Sequence, residues 1–464
     1  MKSLARKDPS GADNLVKQVI VKANGVFLWV TVVVISLLRG LTHNDSIQFL
    51  EKRLNEIPET LEGVYDRILA SVEPIYRERG SRIFQFKFAT ERIGSPMPTN
   101  LAFHYALAFD LQEALSKPLA KETLSPAVHR DFSERDLVLK NHEKIEPIIA
   151  TSCGGLLEAK LVRHTYHDSD VQEESRGIQI EVQWIHRTAH DYVETPQVWE
   201  KILSQTEKFP GDPFDPHLAL TMSYVSVLKD PFLGFGDELW LLESLNKSWY
   251  AVSDHVNFMY PNSTRIQIQV LEEFDRVATN TLYLMRNQGS FKTSQVHWSN
   301  WQLPAIWKTS FLYRVIEDGL CWYLQLKVQE DSWIKTISGT GSPLLAYCFL
   351  LHYGIGSIND WCEIIDILIK NGWHPGEMYE GFTVWEYWIY LLAKAPQWDF
   401  ELSNMDNIER ATMTMLWSGV DLNVQPIRNS EIWNRIFPAS EMTRYSSVEC
   451  HIIRDQTVRI GLDR

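Results

Sequence analysis

From Gly25 to Leu38 the chain runs through GVFLWVTVVVISLL, fourteen residues without a charge. As a helix this run rises about 21 Å, short of the roughly 30 Å hydrocarbon core of a bilayer. Lys22 and Asn24 bound it on one side, Arg39 and Asn44 on the other. Basic residues precede it (Lys2, Arg6, Lys7, Lys17 and Lys22), as in a signal peptide, but RGLTHND after it offers no small-x-small cleavage site. The β-branched VTVVVIS suits a strand by periodicity, and length decides for a helix. A helix apolar on every side needs neighbours on every side. The expectation is a buried helix whose partners precede it, in a chain that begins within a domain.

The pattern then turns amphipathic. Asp45 is placed to N-cap a helix with Ile47, Leu50, Leu54 and Ile57 on one face, closed at Pro58. Thr60 starts a second, with Leu61, Tyr65, Ile68, Leu69, Val72 and Ile75 at helical spacing. RIFQFKFA predicts a third, which the Gly and two Pro of ERIGSPMPTN interrupt. LAFHYALAFDLQEAL reads as one more helix, followed by a polar insertion from Ser116 to about Asn141. A short helix, IEPIIATSC, ends at Gly154-Gly155. LLEAKLVRHTY then faces GIQIEVQWIH across a charged loop, with Ile178, Ile180, Val182 and Trp184 in strict alternation. Helices followed by one antiparallel hairpin are the plan of a winged helix.

Helical spacing resumes in RTAHDYVETPQVWEKIL and continues, between loops, from Pro210 to about Val328. Two later stretches, GSPLLAYCFLLHYG with IIDILIKNGWHPGEMYEGFTVWEYWIYLLA, and ATMTMLWSGVDLNVQP, resemble degenerate ankyrin repeats. Thr383-Val-Trp stands where Thr-Pro-Leu is usual, and the step from Pro343 to Val384 exceeds the period of about 33. The expected fold is mainly α: a helical bundle, a winged-helix-like domain with one β-hairpin, and a helical region with degenerate ankyrin-like repeats. Its segments are 1–58 with the apolar helix, 59–197 winged-helix-like, 198–330 helical, 331–430 repeat-like, and 431–464 a loosely attached tail.

Composition narrows the function. Of 464 residues, 45% are hydrophobic and 22% charged, which describes a folded chain, and 17 Trp point to large helix interfaces. A net charge of -14 opposes a nucleic-acid surface. Cys153, Cys321, Cys348, Cys362 and Cys450 are scattered without a C-x-x-C pair, as reduced thiols in a cytoplasmic protein would be. No Gly-Lys-Ser or Gly-Lys-Thr supplies a phosphate-binding loop. His186 and His190 in HRTAH resemble in spacing the H-E-x-x-H of zinc proteases, but Arg187 replaces the essential Glu and opposes a metal. His164, His167 and Asp168 read as solvated loop polarity, and Cys153 as a small buried side chain. The reading is no enzyme, no metal and no cofactor held by the chain alone.

Three ordered stretches carry a resemblance: KANGVFLWVTVVVISLLRGL, LEKRLNEIPETLEGVYDRIL and VQWIHRTAHDYVE. Together they resemble the region after the ATPase core in NACHT-type STAND proteins of filamentous fungi, relatives of NOD-like receptors. The resemblance covers about the first 200 residues and implies a nucleotide-dependent switch in which a winged-helix histidine touches the nucleotide's β-phosphate. By motif position that residue is His186, and only an NTPase domain supplied elsewhere would give it a nucleotide. The resulting expectation is a non-catalytic regulatory and sensing region of a signalling protein, related to innate immunity or incompatibility and acting through protein contacts. A partner NACHT ATPase domain is implied; nucleic acid and membrane are not favoured. The alternatives are a winged-helix nucleic-acid-binding protein, for which NLAFHYALAFDLQEAL lacks any Lys or Arg, and an enzyme of unrecognised type.

Overall fold

The structure is a computed structural model that describes residues 9–23, 27–42, 45–58, 60–98, 101–116, 134–163, 178–207, 213–229, 238–259, 264–287, 297–298, 311–330, 344–350, 358–379, 382–388 and 405–420. These are mainly helical, with a small antiparallel hairpin. The hairpin loop with His164, His167 and Asp168, Cys450 and the tail 431–464 lie outside them. Two compact units divide the chain: 1–234 with 248–273, and 235–247 with 274–464.

The first unit opens with α1 (Pro9–Ala23), α2 (Phe27–Thr42), α3 (Ile47–Glu56) and α4 (Leu61–Ala70). The apolar run is α2, and it corrects the expectation of burial all round. Trp29, Val33 and Leu37, one turn apart on one face, are buried, whereas Leu38 is 47% exposed. The partners lie within the chain: Leu15 and Val19 of α1, Leu50 and Leu54 of α3, and Val64 of α4 share this core. Trp29 Nε1 donates to the Pro58 carbonyl at 2.7 Å, fixing the exit of α3 over α2. Among the described residues no helix is long and apolar enough to cross a membrane.

Local chemistry sets the helix ends. Ser46, not Asp45, caps α3, its Oγ accepting from the Phe49 N–H; Asp45 instead pairs with Arg53 Nε at 2.7 Å. Thr60 caps α4 as expected. Ile75 does not extend α4: the chain turns at Ser71 to Glu73, and α5 (Pro74–Ile93) begins with Pro at N1, ending at Gly94 with φ 70°. The segment read as one helix from Leu101 is two, α6 (Leu101–Leu107) and α7 (Leu111–Ser116), because Asp110 Oδ1 accepts the Glu113 N–H and starts a new turn. The polar insertion is shorter than expected, since α8 (Glu134–Ser152) begins well before Asn141 and carries Pro147 inside it.

After α8, Gly154 and Gly155 turn the chain with φ of 64° and 84° into β1 (Leu157–Arg163), paired antiparallel with β2 (Ile178–Trp184) in the register Leu157↔Trp184 to Arg163↔Ile178. Ile180 and Val182 point into a core shared with Phe84 and Phe86 of α5, Phe103 of α6 and Ile149 of α8. Leu61 and Ile68 of α4 pack against both this core and that of α2, so α4 joins the two layers. Then follow α9 (Arg187–Val193), α10 (Pro196–Leu203), α11 (Pro216–Leu228), α12 (Glu238–Val256) and α13 (Thr264–Asn287), the helices expected in this stretch. Lys229, fully buried at the end of α11, donates to the Ala114 carbonyl at 2.8 Å and pairs with Glu273 at 2.5 Å, tying α7 and α13 to α11.

In the second unit α14 (Phe311–Glu317), α15 (Cys321–Glu330), α16 (Leu344–Leu350) and α17 (Ile358–Lys370) precede the short ladder β3 (Met378–Tyr379) with β4 (Phe382–Thr383), then α18 (Met405–Trp417). Gly372, at φ 97°, ends α17. Thr383 and Glu386 form a capping box: the Thr383 N–H donates to Glu386 Oε2 at 2.7 Å and the Glu386 N–H to Thr383 Oγ1 at 3.1 Å. Thr383 thus starts the next helix without the proline of a Thr-Pro-Leu turn.

Candidate functional site: the strand-to-helix corner at His186

β2 ends in the core at Trp184, the Ile185 N–H bonds the Leu156 carbonyl at 3.0 Å, and the chain enters α9 through His186 in extended conformation. His186 is the N-cap: its Nδ1 accepts the Thr188 backbone N–H at 3.2 Å and lies 2.9 Å from Thr188 Oγ1. An Nδ1 that accepts leaves the ring proton on Nε2. This residue is exposed, so the imidazole keeps a donor after capping its helix.

Two phenols of the core support that cap. Tyr65 OH sits 2.7 Å from Thr188 Oγ1, and Tyr192 OH donates to Asp66 Oδ1 at 2.7 Å, their rings 5.1 Å apart. Neighbouring residues of α4 therefore hold both ends of α9. Burial pushes the Tyr65 phenol above its ordinary pKa; burial and then the bond to Asp66 do so for Tyr192, so both stay protonated.

The other residues of the motif do not converge with His186. Arg187 points to solvent, 3.7 Å from Asp191. His190 lies against Phe88 and Trp184, with Glu91 Oε2 3.7 Å from its Nε2. Trp184 Nε1 donates to the same carboxylate at 3.0 Å, which Lys87 also meets at 3.1 Å. Among the described residues no group of three His, Cys, Asp or Glu side chains is placed to hold a metal. Cys153 is fully buried, and burial pushes its thiol far above the range in which a thiolate forms.

Tyr65, Asp66 and Glu91 were not singled out by the sequence. Tyr65 and Asp66 sit on α4, more than a hundred residues from the motif they hold, and nothing in their local pattern distinguishes Tyr65 from a core ring.

Residues 71–230 match a family model described as a domain of unknown function, DUF7791. The match runs from the start of α5 to the end of α11, about a third of the chain, and includes the hairpin, His186 and Lys229. No curated protein and no solved structure matches the chain.

Proposed function

We propose that the chain is a non-catalytic regulatory and sensing region of a NACHT-type signalling protein, working through protein contacts. The observation that carries this reading is the match over residues 71–230, because that domain is found in NACHT-type proteins and the matched span contains the whole HRTAHDY corner. In this reading residues 59–197, α4 to α9 with the β1–β2 hairpin, are the winged-helix-like part, and the helices of 331–430 around β3 and β4 are degenerate ankyrin-like repeats. The outward Nε2–H of His186 is the group that would meet a phosphate oxygen on an ATPase domain supplied by another polypeptide or segment. A neutral N–H donor held by a helix cap and two core phenols has a fixed direction, and it loses its acceptor when the domains separate. The chain's own work is then recognition, with no reaction centre.

Calorimetric titration of ADP into the purified chain, with a parallel assay of ATP hydrolysis, tests this. The expected result is no saturable heat and no phosphate release. Micromolar binding or turnover by the chain alone would sink the non-catalytic reading.

A further inference from the structure

In the second unit His374, just past α17, is placed so that each ring nitrogen meets a backbone group. Its Nδ1 accepts the Gly376 N–H at 2.9 Å, and its Nε2 bonds the Ser418 carbonyl, just past α18, also at 2.9 Å. An amide N–H only donates and a carbonyl only accepts, so this arrangement requires the neutral ring with its proton on Nε2. In that form the imidazole ties the turn after α17 to the end of α18. His374 is exposed, so solvent protons reach it. A second proton, on Nδ1, keeps the Ser418 bond but sets one N–H against another at Gly376, and that bond is lost.

A new partner for that proton stands in the same turn. The Glu377 N–H donates to the His374 carbonyl at 2.9 Å, which makes residues 374 to 377 a tight turn whose first and last Cα atoms lie within about 7 Å. Among the described residues, Glu377 Oε2 is buried and has no hydrogen-bond partner. Burial pushes this carboxyl above its ordinary pKa, and the charge of His374 opposes that shift, so the two side chains are within electrostatic reach. Other charges on the packed elements interfere less. Glu363, Asp366, Glu409 and Arg410 stand about two turns or more back along α17 and α18, Glu386 accepts from the Thr383 N–H, and Lys370 is exposed, where water and salt screen it.

We propose that His374 is an acid-operated switch that exchanges the Gly376 N–H for the Glu377 carboxylate as it gains a proton. The ring stays anchored on the Ser418 carbonyl, where a positive charge beside the last carbonyls of a helix is favourable. What moves is the Gly376 amide and the chain that follows it into β3. Met378, the first residue of β3, is 64% exposed, and Trp417, next to the anchor at Ser418, is 78% exposed. Acid therefore re-aims an exposed surface of the second unit. The switch needs neither nucleotide nor partner, so it stands apart from the protein-contact reading.

The Gly376 amide can be watched directly in the full chain. Pro-Gly occurs only at Pro210-Gly211 and Pro375-Gly376, so carbonyl-labelled proline with nitrogen-labelled glycine leaves two amide signals in a carbonyl-selected NMR spectrum. The one that changes in His374→Asn is Gly376. From about pH 7.5 to about pH 5.5 its proton should move upfield in a single titration, as a lost hydrogen bond requires. In His374→Asn the side-chain oxygen still accepts the N–H two residues on but takes up no proton, so the signal should hold its position across that range. Glu377→Gln should shift the midpoint to lower pH, because the charged ring loses its carboxylate. A Gly376 signal that stays still in the wild-type chain overturns the switch, and so does equal movement in His374→Asn. An unshifted midpoint in Glu377→Gln overturns the exchange of partners.

Discussion

Two histidines in the core of the first unit make the most direct statement at the scale of single residues. His217 on α11 and His255 on α12 are both buried, with their Nδ1 atoms 3.0 Å apart. Such a contact is a hydrogen bond only when one Nδ1 carries a proton and the other does not, and charging both rings sets two N–H donors and two positive charges face to face. Phe258 stacks on His217, and the Arg92 guanidinium of α5 lies over the Phe258 ring. Burial, with Arg92, lowers His217 to about 4, and burial, with His217, lowers His255 to about 3. Both depressed values mean that the unfolded chain takes up protons near the ordinary histidine pKa of about 6.5 while the folded chain does not. Stability is therefore full above about pH 6.5 and falls as the pH drops toward the folded values, by about 2 kcal/mol per pH unit for the pair. Urea melts at pH 7, 6 and 5 should show that slope, and His217→Gln should flatten it. An equal slope in the variant would remove the pair as its source.

Within elements, backbone approach sets a sharper limit than hydrophobicity. Gly80 sits inside α5, where a Cβ would run into the Ser152 carbonyl oxygen at the end of α8. The oxygen is backbone and cannot rotate aside. Gly80→Ala improves helix propensity by about 1 kcal/mol, but forcing α5 and α8 apart costs more, a net loss of about 2 kcal/mol. A thermal melt of the variant checks the sign; stabilisation would mean that propensity wins. The same elements show what the sequence discloses. The β1–β2 hairpin was legible, because Ile178, Ile180, Val182 and Trp184 alternate and only one face has a core to meet. The Thr60 cap and the Gly94 stop were legible from local chemistry. Helix α1 was not: its buried Leu15, Val19 and Ala23 are interleaved with lysines and with exposed Ile20 and Val21, which blurs the period. Helix α8 was read too short because Pro147 normally marks a first turn and here sits in the middle. At the candidate site the histidine and its helix could be read from one motif. The support from Tyr65 and Asp66 could not, because only tertiary folding brings α4 to α9.

For the molecule as a whole, charge separates the leading reading from a winged helix that binds DNA. Phosphate neutralisation supplies most non-specific affinity, with dissociation constants of about 10⁻⁴ to 10⁻⁶ M at physiological salt for proteins that have a basic surface. This chain has 45 Lys and Arg against 59 Asp and Glu. The segment that would have to enter the groove holds no Lys or Arg, and the structure uses it otherwise: Phe103 and Ala106 of α6 are buried in the core with the hairpin, and Ala102 is buried as well. A recognition helix needs a free face, and α6 spends its apolar face on folding. An electrophoretic assay with a 20-base-pair duplex at about 100 mM salt should therefore show no retarded band at chain concentrations up to about 10 µM. The informative control is ionic strength. A band that appears and then fades as salt rises would reveal a basic surface formed despite the net charge, and would return the hairpin and its flanking helices to nucleic-acid recognition.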